Sequence, residues 1–165
     1  MPALPRRAYE PGHRPNFLVV VDETEECARA ARFAVRRAAR VGAVVVMAAV
    51  AALPEKSEWI GVDDLMRAEA EEAARTRVER AAEAARALAP VEVETLVRVG
   101  EAAEEVARLV DEDEDVALLV LAAGSGADGP GPLVSLFAGR AAETFAVPVA
   151  IVPGGLTEGE IDALA

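Results

Sequence analysis

The chain has one cysteine, Cys27, and one histidine, His13, among its 165 residues. A single thiol excludes an internal disulfide and suits a reducing compartment. A single imidazole, set in a proline-rich arm, all but excludes a histidine-based catalytic triad or a His/Cys metal site. Long apolar runs are missing as well. The longest, residues 41–53, is too short to span a bilayer and reads as a buried strand. The opening Met-Pro-Ala-Leu-Pro-Arg-Arg has no apolar signal-peptide core, so a cytoplasmic location is expected and no membrane partner. Basic charge is scarce: 17 Lys and Arg stand against 29 Asp and Glu, a net charge of −12. Duplex nucleic acid needs a basic face, so no nucleic-acid partner is expected. A polyanion such as ATP would be held by local geometry against an unfavourable long-range field.

What is present is a core. Hydrophobic residues make up 53% of the chain, enough to bury one domain. Prolines at 2, 5, 11 and 15 make residues 1–15 an arm. From residue 17 apolar strands alternate with helical patterns. Strands are expected at 17–21, 43–51, 91–99, 116–123 and 147–152. Helices are expected at 24–41, 63–89, 101–110 and 133–146. The first helix carries Cys27, Ala31, Ala34, Ala38 and Val41 on one face, with Arg36, Arg37 and Arg40 near its end. The second carries Met66, Ala70, Ala73, Val78, Ala81, Ala85 and Leu88, and a Glu71–Arg75 pair on its outer face. Strand 91–99 alternates, which places it towards a sheet edge. Continuous apolar strands with helical crossovers predict an α/β fold: a doubly wound, five-stranded parallel sheet with helices on both faces. The domain then covers residues 16–153. The tail, 154–165, carries a capping box at Thr157 and Glu160 and predicts a short helix.

The lead to function is the loop after the fourth strand, Gly124-Ser-Gly-Ala-Asp-Gly-Pro-Gly-Pro. Glycines that follow a buried strand and precede a helix let backbone N–H groups approach an anion. Gly126, Gly129 and Gly139 are separated by two and then nine residues. Gly124, Gly126 and Gly129 also spell a dinucleotide fingerprint, but after the fourth strand rather than the first. A Gly-x-x-x-x-Gly-Lys phosphate loop is absent, because Pro130 and Gly131 occupy the positions of its Lys and Ser/Thr. In open α/β sheets the ligand sits at the carboxyl ends of the strands, which puts Val21, Asp22, Val50 and this loop on one rim. Asp22 also has the spacing of a helix N-cap. Cys27 falls on an apolar stripe and reads as a buried thiol. The run Asp111-Glu-Asp-Glu-Asp115 lacks the glycine and distal Glu of a calcium hand and reads as a solvated loop.

Over residues 16–153 the chain resembles the universal stress protein family. The residues that carry the likeness are Phe17-Leu-Val-Val-Val-Asp22, Arg40-Val-Gly-Ala-Val-Val-Val-Met-Ala-Ala-Val50, Val99-Gly-Glu-Ala-Ala-Glu-Glu-Val106, Asp115-Val-Ala-Leu-Leu-Val-Leu and Gly126-x-x-Gly129-x9-Gly139. The resemblance implies an adenine nucleotide alpha hydrolase-like sheet of order 3-2-1-4-5. It implies a homodimer through the last strand, Val147 to Val152, and ATP with Mg2+ at the strand ends. By position, Asp22 and Val50 would lie at adenine and ribose, while Gly126, Gly129 and Gly139 would wrap the phosphates; Val21 and Gly124 complete the expected nucleotide-binding residues. Arg140 stands where the family places Ser or Thr, and its guanidinium would clamp phosphate instead. No general base stands near the phosphates, so at most slow hydrolysis is expected. The alternatives are a nucleotide-free dimeric interaction module and a flavin or nicotinamide redox protein.

Overall fold

A computed structural model of the chain describes residues 4–53 and 59–165, apart from the side chain of Arg140. The expected phosphate contact of Arg140, and part of the connection carrying Trp59, therefore lie outside the described residues. The strands β1 (Asn16–Val20), β2 (Val44–Ala51), β3 (Val93–Val99), β4 (Val116–Ala123) and β5 (Val149–Pro153) form one sheet of order β3-β2-β1-β4-β5. Every neighbouring pair is parallel. The helices are α1 (Cys27–Val41), α2 (Val62–Leu88), α3 (Ala102–Glu112), α4 (Pro132–Ala138) and α5 (Glu158–Leu164).

The two-residue period of a strand divides the core into two layers. Phe17, Val19 and Val21 pack with α1, α2 and Ile161 of α5, while Leu18 and Val20 pack with Val106, Leu109 and Val110 of α3 and Val134 and Phe137 of α4. Both faces are covered, which is why β2 reads as a continuous apolar run. The expected topology, edge position of β3 and tail helix are all present.

Four local expectations are corrected. Helix α1 starts at Cys27 rather than Thr24, because Asp22 Oδ1 accepts from Thr24 N (2.9 Å) and Thr24 Oγ1 (2.5 Å) and closes a turn first. Asp22 is therefore not the N-cap; Glu26 holds that position without a side-chain capping bond. At the far end Gly42 adopts φ +76° and donates to Ala38 O, which swings Val41 out into solvent.

The α2 stripe is also narrower than expected. Ala74, Val78, Ala82 and Ala85 are buried, but Met66 and Ala73 are exposed. Twenty-seven helical residues measure about 40 Å and the eight of β2 about 26 Å, so the first turns of α2 overhang the sheet. On its outer face Glu71 pairs with Arg67 and Arg75 with Glu72.

The third correction is the helix expected at 133–146, which breaks in two. Gly139 sits at φ −99°, ψ −123°, and a 3-10 turn, Arg140–Glu143, follows. The break folds Phe145 back onto Phe137, ring centroids 4.6 Å apart.

The fourth is the acidic run 111–115, which is no free loop. It receives the N-terminal arm: Arg6 donates to Val110 O (2.8 Å) and Asp113 O (2.9 Å), Arg7 N to Glu114 O (2.9 Å), and Asn16 Nδ2 to Asp113 Oδ2 (2.9 Å). Ala8 is buried in the process.

The basic residues of α1 hold the other end of the chain. Arg32 grips the Asp162 carboxylate with two bonds of 2.7 Å, and Arg36 Nε adds a third at 3.1 Å. The hydrogen bond from Arg32 holds the Asp162 carboxyl below the usual carboxylate range. Helix α5 is further fixed by its capping box, in which Thr157 and Glu160 satisfy each other's backbone N–H.

Candidate functional site

A cleft of about 450 Å³ opens at the carboxyl ends of β1 and β4. Those strands are neighbours in the sheet but not in sequence, which is where an open α/β fold leaves a crevice. The sheet brings Val21, Asp22, Val50 and Gly129 to its walls. Leu121, Ala122, Leu133 and Val134 give it an apolar floor, and Ala102 at the start of α3 closes one side. Gly124, Gly126 and Gly139 are not among the lining residues.

The loop is folded onto itself. Gly124 N donates to Pro130 O (3.1 Å) and Gly129 N to Gly126 O (3.2 Å). Two donors of the glycine loop are thus spent internally, and Pro130 and Pro132 have none to offer. Gly129 and Gly131 hold φ of +82° and +103°, a conformation that favours glycine. Gly124 is required for a different reason. A methyl group there would lie 2.8 Å from Gly129 O and 2.9 Å from Glu26 Oε1. Gly139 performs its work in the helix break, where a methyl group would meet Ser135 O at 2.7 Å.

The electrostatics of the cleft are acidic. Asp22, Glu26 and Asp128 line it, and no lysine or arginine does among the described residues. Glu26 has no motif to announce it. In the sequence it reads as one of two acids suited to a helix N-terminus, and only the late start of α1 frees its side chain to reach the loop. Cys27 also reaches the cleft, but burial pushes its thiol up, the direction of an unreactive group. The described residues contain no helix long and apolar enough to cross a membrane.

Comparison with known proteins agrees with this architecture. The fold matches the universal stress protein UspA from Lactobacillus plantarum with a TM-score of 0.68 and 16% identity, covering 84% of this chain and 97% of that one. It matches a universal stress protein from Archaeoglobus fulgidus at 0.58 and 20% identity, over 84% and 97% of the two chains. A universal stress protein described in complex with cAMP matches at 0.60 and 21% identity, over 84% and 96%. No curated protein matches the sequence. The model of the universal stress protein family matches residues 13–153, which takes in the whole sheet and the glycine loop. The chain therefore belongs to the universal stress protein family.

Proposed function

We propose that this chain is a dimeric regulatory protein that binds an adenine nucleotide, ATP with Mg2+, in the cleft between β1 and β4. The observation that carries the reading is the convergence of Val21, Asp22, Val50 and Gly129 on one crevice at the strand ends. Its size and largely apolar walls suit a purine and ribose. A solved relative of the same fold is described with cAMP, which supports the adenine class. The base and sugar lie against Val21, Asp22 and Val50, and the phosphates run towards Gly124, Gly126, Gly129, Gly139 and Arg140. Binding then opens the two internal bonds of the loop. Calorimetry with Mg2+ and ATP tests this, and micromolar to submillimolar binding is expected. Arg140→Ala should weaken ATP about tenfold or more and leave adenosine unchanged, since a charge-assisted bond contributes about 1.5–3 kcal/mol. No binding at millimolar ATP would favour the second reading, a nucleotide-free interaction module. The specific observation on that side is that Gly124 and Gly129 already spend their N–H groups inside the loop.

The dimer is proposed through β5. This strand lies at the edge of the sheet, and its Ile151 side chain is exposed. An uncovered apolar edge invites pairing with a second copy. Sedimentation is expected to give a dimer at tens of micromolar, and Ile151→Lys should shift it to monomer. A wild-type monomer at that concentration would end the proposal.

A further inference from the structure

At the opposite end of the sheet the fold assembles a group that neither segment announces alone. We propose that His13, Glu114 and Asp115 bind a divalent transition cation of the zinc class, which pins the N-terminal arm to the turn between α3 and β4. Their ligand atoms all lie within 4.8 Å of one another, the one such trio of His, Cys, Asp or Glu among the described residues. His13 Nδ1 stands 2.7 Å from Asp115 Oδ1 and 3.9 Å from Glu114 Oε1. Tetrahedral zinc with bonds of about 2.0–2.1 Å sets its ligand atoms about 3.3–3.5 Å apart. The two distances straddle that spacing and the third pair lies within 4.8 Å, so side-chain rotation brings the three ligands to three corners. The fourth remains for water.

Three further features fit a cation. The donor set is one imidazole and two carboxylates, which zinc accepts and whose charges neutralise the dication. Both sides are held by the sheet. His13 leads into β1 and Asp115 into the neighbouring β4, with Asn16 N bound to Asp115 O at 2.8 Å and Arg7 N to Glu114 O at 2.9 Å. The ligands thus approach each other across about a hundred residues of sequence before any metal arrives, which lowers the ordering cost of binding. Arg7, whose backbone docks on Glu114, turns its guanidinium to Glu10 at 2.8 Å. The site lies a full strand away from the cleft, about 17 Å along the five residues of β1. Mg2+ carried by a nucleotide is therefore a separate matter.

Calorimetry of the full chain, stripped with chelator and titrated with Zn2+, tests the assignment. One equivalent is expected to bind, and His13→Gln and Asp115→Asn are each expected to weaken it at least tenfold. Zn2+ should also slow hydrogen exchange at the Arg7 and Asn16 amides, which a loosely held surface ion would not do. Glu114→Gln, at the more exposed of the two carboxylates, keeps the test readable if either other variant unfolds. No binding up to submillimolar Zn2+, or binding that survives these substitutions in folded protein, overturns the proposal.

Discussion

Gly154→Ala is expected to lower the melting temperature by about 6–12 °C. Gly154 is buried and directly follows β5, where the chain passes the end of β4. A methyl group there would lie 2.2 Å from Ala123 O and 3.3 Å from Ser125 N. Both are backbone atoms, so no rotamer change relieves the clash and one strand end must move. Overpacking of this kind costs about 1–3 kcal/mol, and contact this close places it near 3 kcal/mol. For a chain of this size each kcal/mol is worth about 2–4 °C. The neighbouring Gly155→Ala is the control, because a methyl group there meets nothing within 4 Å. Thermal scans of the two variants decide it. Equal melting temperatures would show that the β4 and β5 ends separate without cost. The strain also reaches the glycine loop, since Ala123 and Ser125 flank Gly124 at its root.

The sheet was legible because its signals are redundant. Each of β1, β2 and β4 is a run of β-branched and aliphatic residues, and each crossover carries its own helical period. An error in one element leaves the others to fix the topology. What the sequence hid lies in competition between local options. Asp22 has the spacing of a helix cap, yet its carboxylate reaches Thr24 first and delays α1 to Cys27. Gly139 reads as a motif residue, and the break it makes in the last helix has no periodic signature. Pairings distant in sequence were equally hidden. Nothing in the arm or in the run 111–115 predicts that Arg6, Arg7, His13 and Asn16 dock there. Those contacts follow from β1 and β4 being neighbours, a fact of topology rather than of either segment. The same holds for the α1 arginines. Arg36 and Arg40 suit a helix C-terminus, and the structure turns both, with Arg32, onto Asp162 of the tail.

Neutralising the three carboxylates of the cleft is expected to tighten binding of Mg2+-free ATP by roughly thirtyfold. The variant is Asp22→Asn, Glu26→Gln, Asp128→Asn. All three residues line the cleft, and no described lysine or arginine offsets them there. With about 8 Å between a carboxylate and a triphosphate of charge four, each repulsion is about 2 kcal/mol in water. Screening at physiological salt leaves about a third of that, so the three together oppose ATP by about 2 kcal/mol. Mg2+ removes two of the four charges and with them about half of the penalty. In the wild-type protein Mg2+ should therefore strengthen ATP binding about fivefold more than it does in the triple variant, after correction for the magnesium bound by free ATP. Adenosine carries no charge, so it should gain nothing comparable, and any change at its Asp22 contact is shared with ATP and cancels in the comparison. Asn at position 22 keeps an oxygen to accept from Thr24, so the turn ahead of α1 survives the change. Calorimetry of ATP and adenosine, each with Mg2+ and with chelator, completes the cycle. A uniform gain for ATP and adenosine would mean that the carboxylates shape the pocket rather than select by charge. No gain for either would place the phosphates away from Asp22, Glu26 and Asp128, and the path past the glycine loop would have to be abandoned.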